Sequence, residues 1–82
     1  MDKLNNAVMH HFIRYEILLH MSYLSEHKQD WHPGKIAEYV LQKNSDVLCL
    51  PMPEEQIKTF LELKKIALKL IEEQCAVSRL FN

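Results

Sequence analysis

The sequence predicts an all-α fold: a small helical bundle of two long antiparallel helices, one short helix and an apolar extended linker, assembled as a dimer. Three observations lead to this prediction. The 82 residues include one glycine and three prolines, too few turn residues for a loop-rich β architecture. Two long segments contain neither glycine nor proline, and apolar side chains recur along them at helical spacing. About 48% of the residues are apolar, enough for one core in a single domain over 1–82.

The first predicted helix covers residues 3–27, with Asp2 as its N-cap. At about 100° per residue its apolar side chains form two nearly opposite arcs. The first arc holds Leu4, Val8, Phe12, Tyr15, Leu18, Leu19 and Tyr23, and the second arc holds Ile13, Ile17, Met21 and Leu24. A helix that is apolar on two sides is normally covered on two sides. We therefore expect a homodimer or a bound partner.

A second, short helix is predicted over residues 33–43, because Pro33 suits the first helical position and Asp30 or His32 can cap it. Turn-favouring residues at 43–46 end this helix. Trp31, just before Pro33, has two possible roles. It either packs over the start of the helix as a hydrophobic staple or anchors a partner protein.

The segment 47–53 is predicted to be an extended linker, because its two prolines disfavour an α-helix. Its apolar side chains either fill a gap between the long helices or form a docking surface; they are Val47, Leu48, Leu50 and Met52. Pro53 starts the last helix, predicted over 53–80, and Glu54 and Glu55 follow at the positive end of the helix dipole.

The last helix combines a charged stripe with an apolar arc of roughly 200° at about 100° per residue. Lys64 falls in the middle of that arc, where an unpaired buried ammonium would be strongly disfavoured. Three explanations are open. Lys64 extends to the rim of the arc, pairs with a carboxylate such as Glu38 or Glu16, or marks a seam that a partner protein completes.

Composition argues against several function classes. Ten basic and eleven acidic residues give a net charge of −1, so no basic excess indicates a nucleic-acid or membrane partner. No serine, cysteine or carboxylate pattern indicates catalysis, and we expect no enzyme and no cofactor. Glu16, His20 and His27 share one side of the first helix but do not form a complete ligand set, so we expect no metal site.

The compartment is predicted from features that the chain lacks. Two cysteines do not form a disulfide framework, and the first residues contain no continuous apolar segment of the kind found in a signal peptide. The longest apolar run is far shorter than the ~20 residues that cross a bilayer. We therefore expect a cytoplasmic protein with reduced thiols.

Two functional hypotheses follow. The first is a small interaction module, an adaptor, inhibitor or regulatory modulator, that contacts a larger protein through Ile13, Ile17, Met21, Leu24, Trp31, Leu48, Leu50 and Met52. The second is a helix-turn-helix-like DNA-binding transcriptional regulator that contacts phosphates through Lys58, Lys64 and Lys65. The predicted ten-residue connection before the last helix is longer than the usual helix-turn-helix connection of about three or four residues.

Overall fold

Four helices make up the structure, a computed structural model that describes residues 7–81, with side chains described as far as residue 77. They are α1 (Ala7–Glu26), α2 (Pro33–Lys43), α3 (Ser45–Leu48) and α4 (Pro53–Phe81). No strand occurs in the described range, so the predicted all-α class is confirmed. The predicted start of the first helix at residue 3, its cap Asp2 and the arc residue Leu4 lie outside the described residues.

The end of α1 is closed by a Schellman-type cap. Lys28 adopts the left-handed conformation, with a φ of 56°. Its N–H donates to the carbonyl of Ser25 at 3.1 Å, and the N–H of Gln29 donates to the carbonyl of Leu24 at 2.8 Å. These two bonds pair carbonyls of the last turn that would otherwise have no partner within the helix. The cap places a lysine in a backbone conformation where glycine is usual.

The start of α2 matches the prediction from Pro33, but its cap differs in one respect. His32 occupies the N-cap position with an extended backbone and makes no side-chain capping bond. Only its carbonyl participates, accepting from the N–H of Ile36 at 2.9 Å. At the other end, the buried Asn44 donates from its side-chain amide to the carbonyl of Val40 at 3.0 Å, which closes α2.

The linker is not extended over its whole length, which corrects the prediction. Its first part belongs to the single helical turn α3, and Cys49 ends this turn in the left-handed conformation with a φ of 48°. The prolines do not prevent the turn because both follow it in the sequence. The second part is attached to α4, since the Gln56 side-chain amide donates to the carbonyl of Leu50 at 2.8 Å.

The core draws on all four helices. Its buried apolar residues are Ile13, Ile17, Met21, Ile36, Ala37, Val40, Leu48, Leu63, Ala67 and Leu70. The short helix α2 makes the most extensive contact with α4, and α1 contacts α4 to a smaller extent. The longest dimension, 44 Å, matches the roughly 43 Å rise of the 29-residue α4. In α4 the described side chains at 72–77 are all exposed, so this helix extends beyond the core.

Candidate interaction surfaces

The second arc of α1, predicted as a partner surface, lies in the core of the single chain. Ile13 and Ile17 are completely buried and Met21 is nearly so. Leu48, a further predicted contact, is 1% exposed. These four side chains already pack against α2 and α4 residues within one core, and none of them offers a free surface to a partner. The partner role predicted for them is therefore replaced by a structural one.

The remaining predicted contacts differ in exposure. Leu24, Trp31 and Leu50 are half-buried and pack against the core, whereas Met52 is exposed. Trp31 also donates its indole N–H to the backbone carbonyl of Met21 at 3.0 Å. This bond ties the start of α2 to α1 and satisfies the polar atom of a large aromatic side chain. Trp31 thus links the segment before α2 to α1, and its two predicted roles, helix staple and partner anchor, stay predictions.

The first arc of α1 is exposed in part, and its exposed side chains, Val8, Tyr15, Leu19 and Tyr23, form what we call the α1 outer face. Phe12 and Leu18 of the same arc are half-buried and pack against the core. The exposed fractions are 78% for Val8, 60% for Tyr15, 44% for Leu19 and 53% for Tyr23. At about 100° per residue these positions lie roughly opposite Ile13, Ile17 and Met21 on the helix. Side-chain chemistry indicates in the sequence which arc stays exposed. Tyrosine hydroxyls favour water, and the second arc of α1 has no tyrosine.

A second uncovered surface, which we call the α4 stripe, runs beside the core-facing side of α4. It consists of Ile57, Leu61, Lys64, Leu68, Ile71 and Cys75, separated alternately by four and three residues. Ile57 is 61% exposed, Leu61 50% and Leu68 47%. Ile71 is half-buried, whereas Lys64 and Cys75 are exposed. Within the described part of the chain, α4 thus has one apolar side in the core and another facing solvent.

The three lysines of the DNA-binding hypothesis are exposed but do not share one face. Lys58 and Lys65 lie on the charged side of α4, while Lys64 belongs to the α4 stripe, about 100° away. Lys65 contacts Glu62 at 3.6 Å. Glu16, one of the carboxylates considered for Lys64, pairs with Lys43 instead at 3.0 Å. The three lysines therefore do not form one basic face, and Lys65 has an acidic neighbour.

The contact between α1 and α2 contains a row of polar and aromatic side chains. Lys43 pairs with Glu16, and the His20 ring stacks on Tyr39 with centroids 3.9 Å apart and an interplanar angle of 9°. Because residues 16 and 20 of α1 meet residues 43 and 39 of α2, the two helices are antiparallel. Tyr23 extends the row, with its ring centroid 6.0 Å from that of His20. This row fixes α2 against one flank of α1.

Electrostatics in this row follow from burial and from the ion pair. Burial, together with the nearby Lys43 ammonium, lowers the pKa of His20 below its usual 6.5. The hydrogen bond and charge of Glu16 raise the pKa of Lys43 above its usual 10.5. Both shifts follow directly from the geometry: His20 is favoured as the neutral imidazole that stacks on Tyr39, and Lys43 as the charged donor to Glu16.

Two further properties concern metals and membranes. Among the described residues, no group of three or more histidine, cysteine, aspartate or glutamate side chains is arranged to hold a metal ion. His20 and His27 of the predicted incomplete set instead make ring contacts with tyrosines. Over the same residues, no helix has both the length and the apolar character needed to span a bilayer.

Comparison with known proteins gives no family assignment. No protein-family model matches the chain, and no curated protein or solved structure shows significant similarity to it. The surfaces of the chain itself are therefore the basis for inferring its function: the α1 outer face and the α4 stripe.

Proposed function

We propose that this chain is a small cytoplasmic protein-interaction module, homodimeric, that acts as an adaptor, inhibitor or regulatory modulator by placing the α1 outer face against a larger protein. The observation that carries this proposal is the exposure of Val8, Tyr15, Leu19 and Tyr23 on one side of a helix whose opposite side is buried. Contiguous apolar surface of this kind commonly marks interaction sites. Cys49 and Cys75 form no disulfide, which is compatible with a reducing compartment.

The composition of the α1 outer face suits a protein partner. Tyrosine provides a large, rather rigid apolar ring together with a hydroxyl that can hydrogen bond, and it is enriched in the centres of interfaces. The face is also held in place from behind, because Ile13 and Ile17 anchor α1 in the core and the His20–Tyr39 stack fixes it to α2. A rigid helix loses little conformational freedom on binding, which favours affinity.

Affinity capture from extracts of the native host tests the proposal. The immobilised parent should retain a specific protein, identified by mass spectrometry, that Tyr15→Asp and Leu19→Asp each lose while keeping the melting temperature of the parent. Lys35→Asp is the control, since Lys35 is exposed on α2 and an acidic residue is tolerated in the first turn of a helix. Retention of the same proteins by all four chains would overturn the role of the α1 outer face.

A further inference from the structure

The α4 stripe has the spacing of a coiled-coil seam. Intervals of four, three, four, three and four residues connect Ile57 to Cys75. This alternation keeps side chains on one side of a helix that packs along another helix, because the a and d positions of a heptad repeat follow it. The seam spans 18 residue steps, about 27 Å of helix at 1.5 Å per residue. Thr59, Leu63, Ala67 and Leu70 are buried on the core-facing side of α4. The stripe runs beside them and is mostly exposed, and Ile71 at its edge also packs against the core.

We propose that the α4 stripe is covered by the α4 stripe of a second copy of this chain, with the two helices antiparallel. In this arrangement Ile57 lies opposite Cys75 of the other copy, and Leu61 lies opposite its Ile71. Each pair occurs twice because the contact is two-fold symmetric. The inference rests on the homodimer of the proposed function and assigns the surface and the helix orientation through which that dimer forms.

Lys64 is the first reason for the antiparallel orientation. In a parallel pair, Lys64 would share a layer of the seam with its own counterpart, placing two ammonium groups side by side. In the antiparallel pair Lys64 lies opposite Leu68 of the other copy. Its apolar stem then covers that leucine, while its charged end, already exposed in the single chain, reaches water. This accounts for a lysine in the middle of an otherwise apolar stripe.

The charges beside the stripe give the second reason. Lys58, Lys65 and Glu72 follow its polar edge at seven-residue intervals. When two helices pack antiparallel, like edges meet, so Lys58 lies near Glu72 of the other copy on both sides of the axis. By the same rule Lys65 lies near Lys65 of the other copy at the exposed edge, and Glu62 of its own chain, 3.6 Å away, offsets this like-charge contact. In a parallel pair these residues would face the opposite edge, where Phe60, Ala67 and Gln74 offer no charge.

Size-exclusion chromatography with light scattering on the full chain, over a range of micromolar concentrations, tests the surface. We expect a dimer that Leu61→Asp weakens by on the order of 100-fold, because it places an unpaired carboxylate in the seam twice. Leu68→Lys should also weaken the dimer, because it places a second ammonium opposite Lys64 of the other copy. Circular dichroism of the variants at low concentration should still show a cooperative melt, since both leucines are half-exposed in the single chain. Ala76→Asp, on the exposed charged side of α4, is the control and should leave the dimer unchanged.

Disulfide trapping tests the orientation. In Cys49→Ser the two Cys75 thiols of an antiparallel pair lie about 27 Å apart along the axis and should not cross-link. Adding Ile57→Cys to that variant places a thiol opposite Cys75 of the other copy, and mild oxidation should then give a covalent dimer. Rapid cross-linking of Cys75 alone would overturn the antiparallel arrangement.

Failures of the two proposals are distinguishable. A monomer at all concentrations overturns the dimer of both proposals, whereas capture of a partner through Tyr15 and Leu19 can still be observed. A dimer that persists in Leu61→Asp and Leu68→Lys overturns the α4 seam alone. If Tyr15→Asp abolishes the dimer and Leu61→Asp does not, the second copy binds the α1 outer face. That result overturns the α4 seam, and it also overturns the proposal that the α1 outer face binds a larger protein.

Discussion

Replacing Leu48 by alanine should destabilise the fold strongly, because this side chain of α3 fills the core rather than a docking surface. Leu48 is 1% exposed and belongs to the same buried cluster as the core residues of α1, α2 and α4. The substitution removes three carbons, about 2.4 kcal/mol of transfer free energy at ~0.8 kcal/mol each. Incomplete collapse of the cavity adds to this, and we expect a loss of about 3 kcal/mol.

Val47→Ala is the matched control, since Val47 is the preceding residue of the same helical turn and is 53% exposed. It should cost about 0.5 kcal/mol or less. Urea unfolding at a fixed protein concentration measures both free energies, and the concentration matters because self-association would contribute to apparent stability. For a domain of this size, Leu48→Ala should lower the melting temperature by about 12–24 °C. A Leu48→Ala protein within about 0.5 kcal/mol of the parent would refute the assignment of Leu48 to the core.

Three further predictions follow from single features. Lys28→Gly should stabilise the protein by about 0.5–1 kcal/mol in chemical unfolding, because glycine adopts the left-handed conformation without strain, and an unchanged or lower stability would contradict this. The pKa of His20 is lower in the folded than in the unfolded state. The stability contributed by neutral His20 is therefore complete above pH 6.5, the unfolded value, and is lost as the pH falls through the folded pKa. His20→Phe, which keeps a ring on Tyr39, should show a smaller acid-induced fall in melting temperature than the parent, and an equal fall would exclude His20 as the source. A mobility-shift assay with random duplex DNA at low salt should show no complex that depends on Lys58, Lys64 and Lys65. A salt-sensitive complex that is lost when these lysines are replaced by alanine would support the DNA-binding hypothesis.

Helix positions were largely predictable from the sequence because they depend on local chemistry. Pro33 and Pro53 begin α2 and α4 as predicted, since proline lacks an N–H that the first helical position does not need. The predicted end of the first helix, residue 27, lies one residue beyond Glu26, where α1 ends. The geometry that ends α1 was not predictable, because a lysine in the left-handed conformation is uncommon and no glycine marks the position.

The choice between the two arcs of α1 shows where local reasoning stops. Both arcs are apolar, so periodicity alone predicts two covered sides without indicating which one enters the core of the single chain. Ile13 and Ile17 are buried, whereas Tyr15 and Tyr23 remain exposed. Side-chain chemistry separates the arcs, because aliphatic side chains lose no hydrogen bond on burial and a tyrosine hydroxyl needs a partner. That criterion would have placed the candidate site on the opposite side of α1.

The linker shows how tertiary packing overrides a local preference. Two prolines nearby favour an extended chain, yet Ser45–Leu48 forms a helical turn. The turn continues from the buried Asn44, whose carbonyl accepts from the N–H of Leu48 at 2.9 Å, and it directs Leu48 into the core. Burying a leucine contributes more free energy than a residue's local preference for extended backbone, so the turn forms. Periodicity could not show this, because the segment is shorter than two helical turns.

The two uncovered surfaces have different consequences for binding because they lie on different helices. In the proposed dimer the α4 stripes cover each other, while the α1 outer face of each copy stays open. A homodimer then carries two identical faces centred on Tyr15 and Leu19, related by the two-fold axis. A partner that is itself dimeric would gain from the high effective concentration of the second face, whereas a monomeric partner would not. Leu61→Asp should therefore weaken capture of a dimeric partner without changing any residue of the α1 outer face, and Tyr15→Asp should abolish capture of either kind.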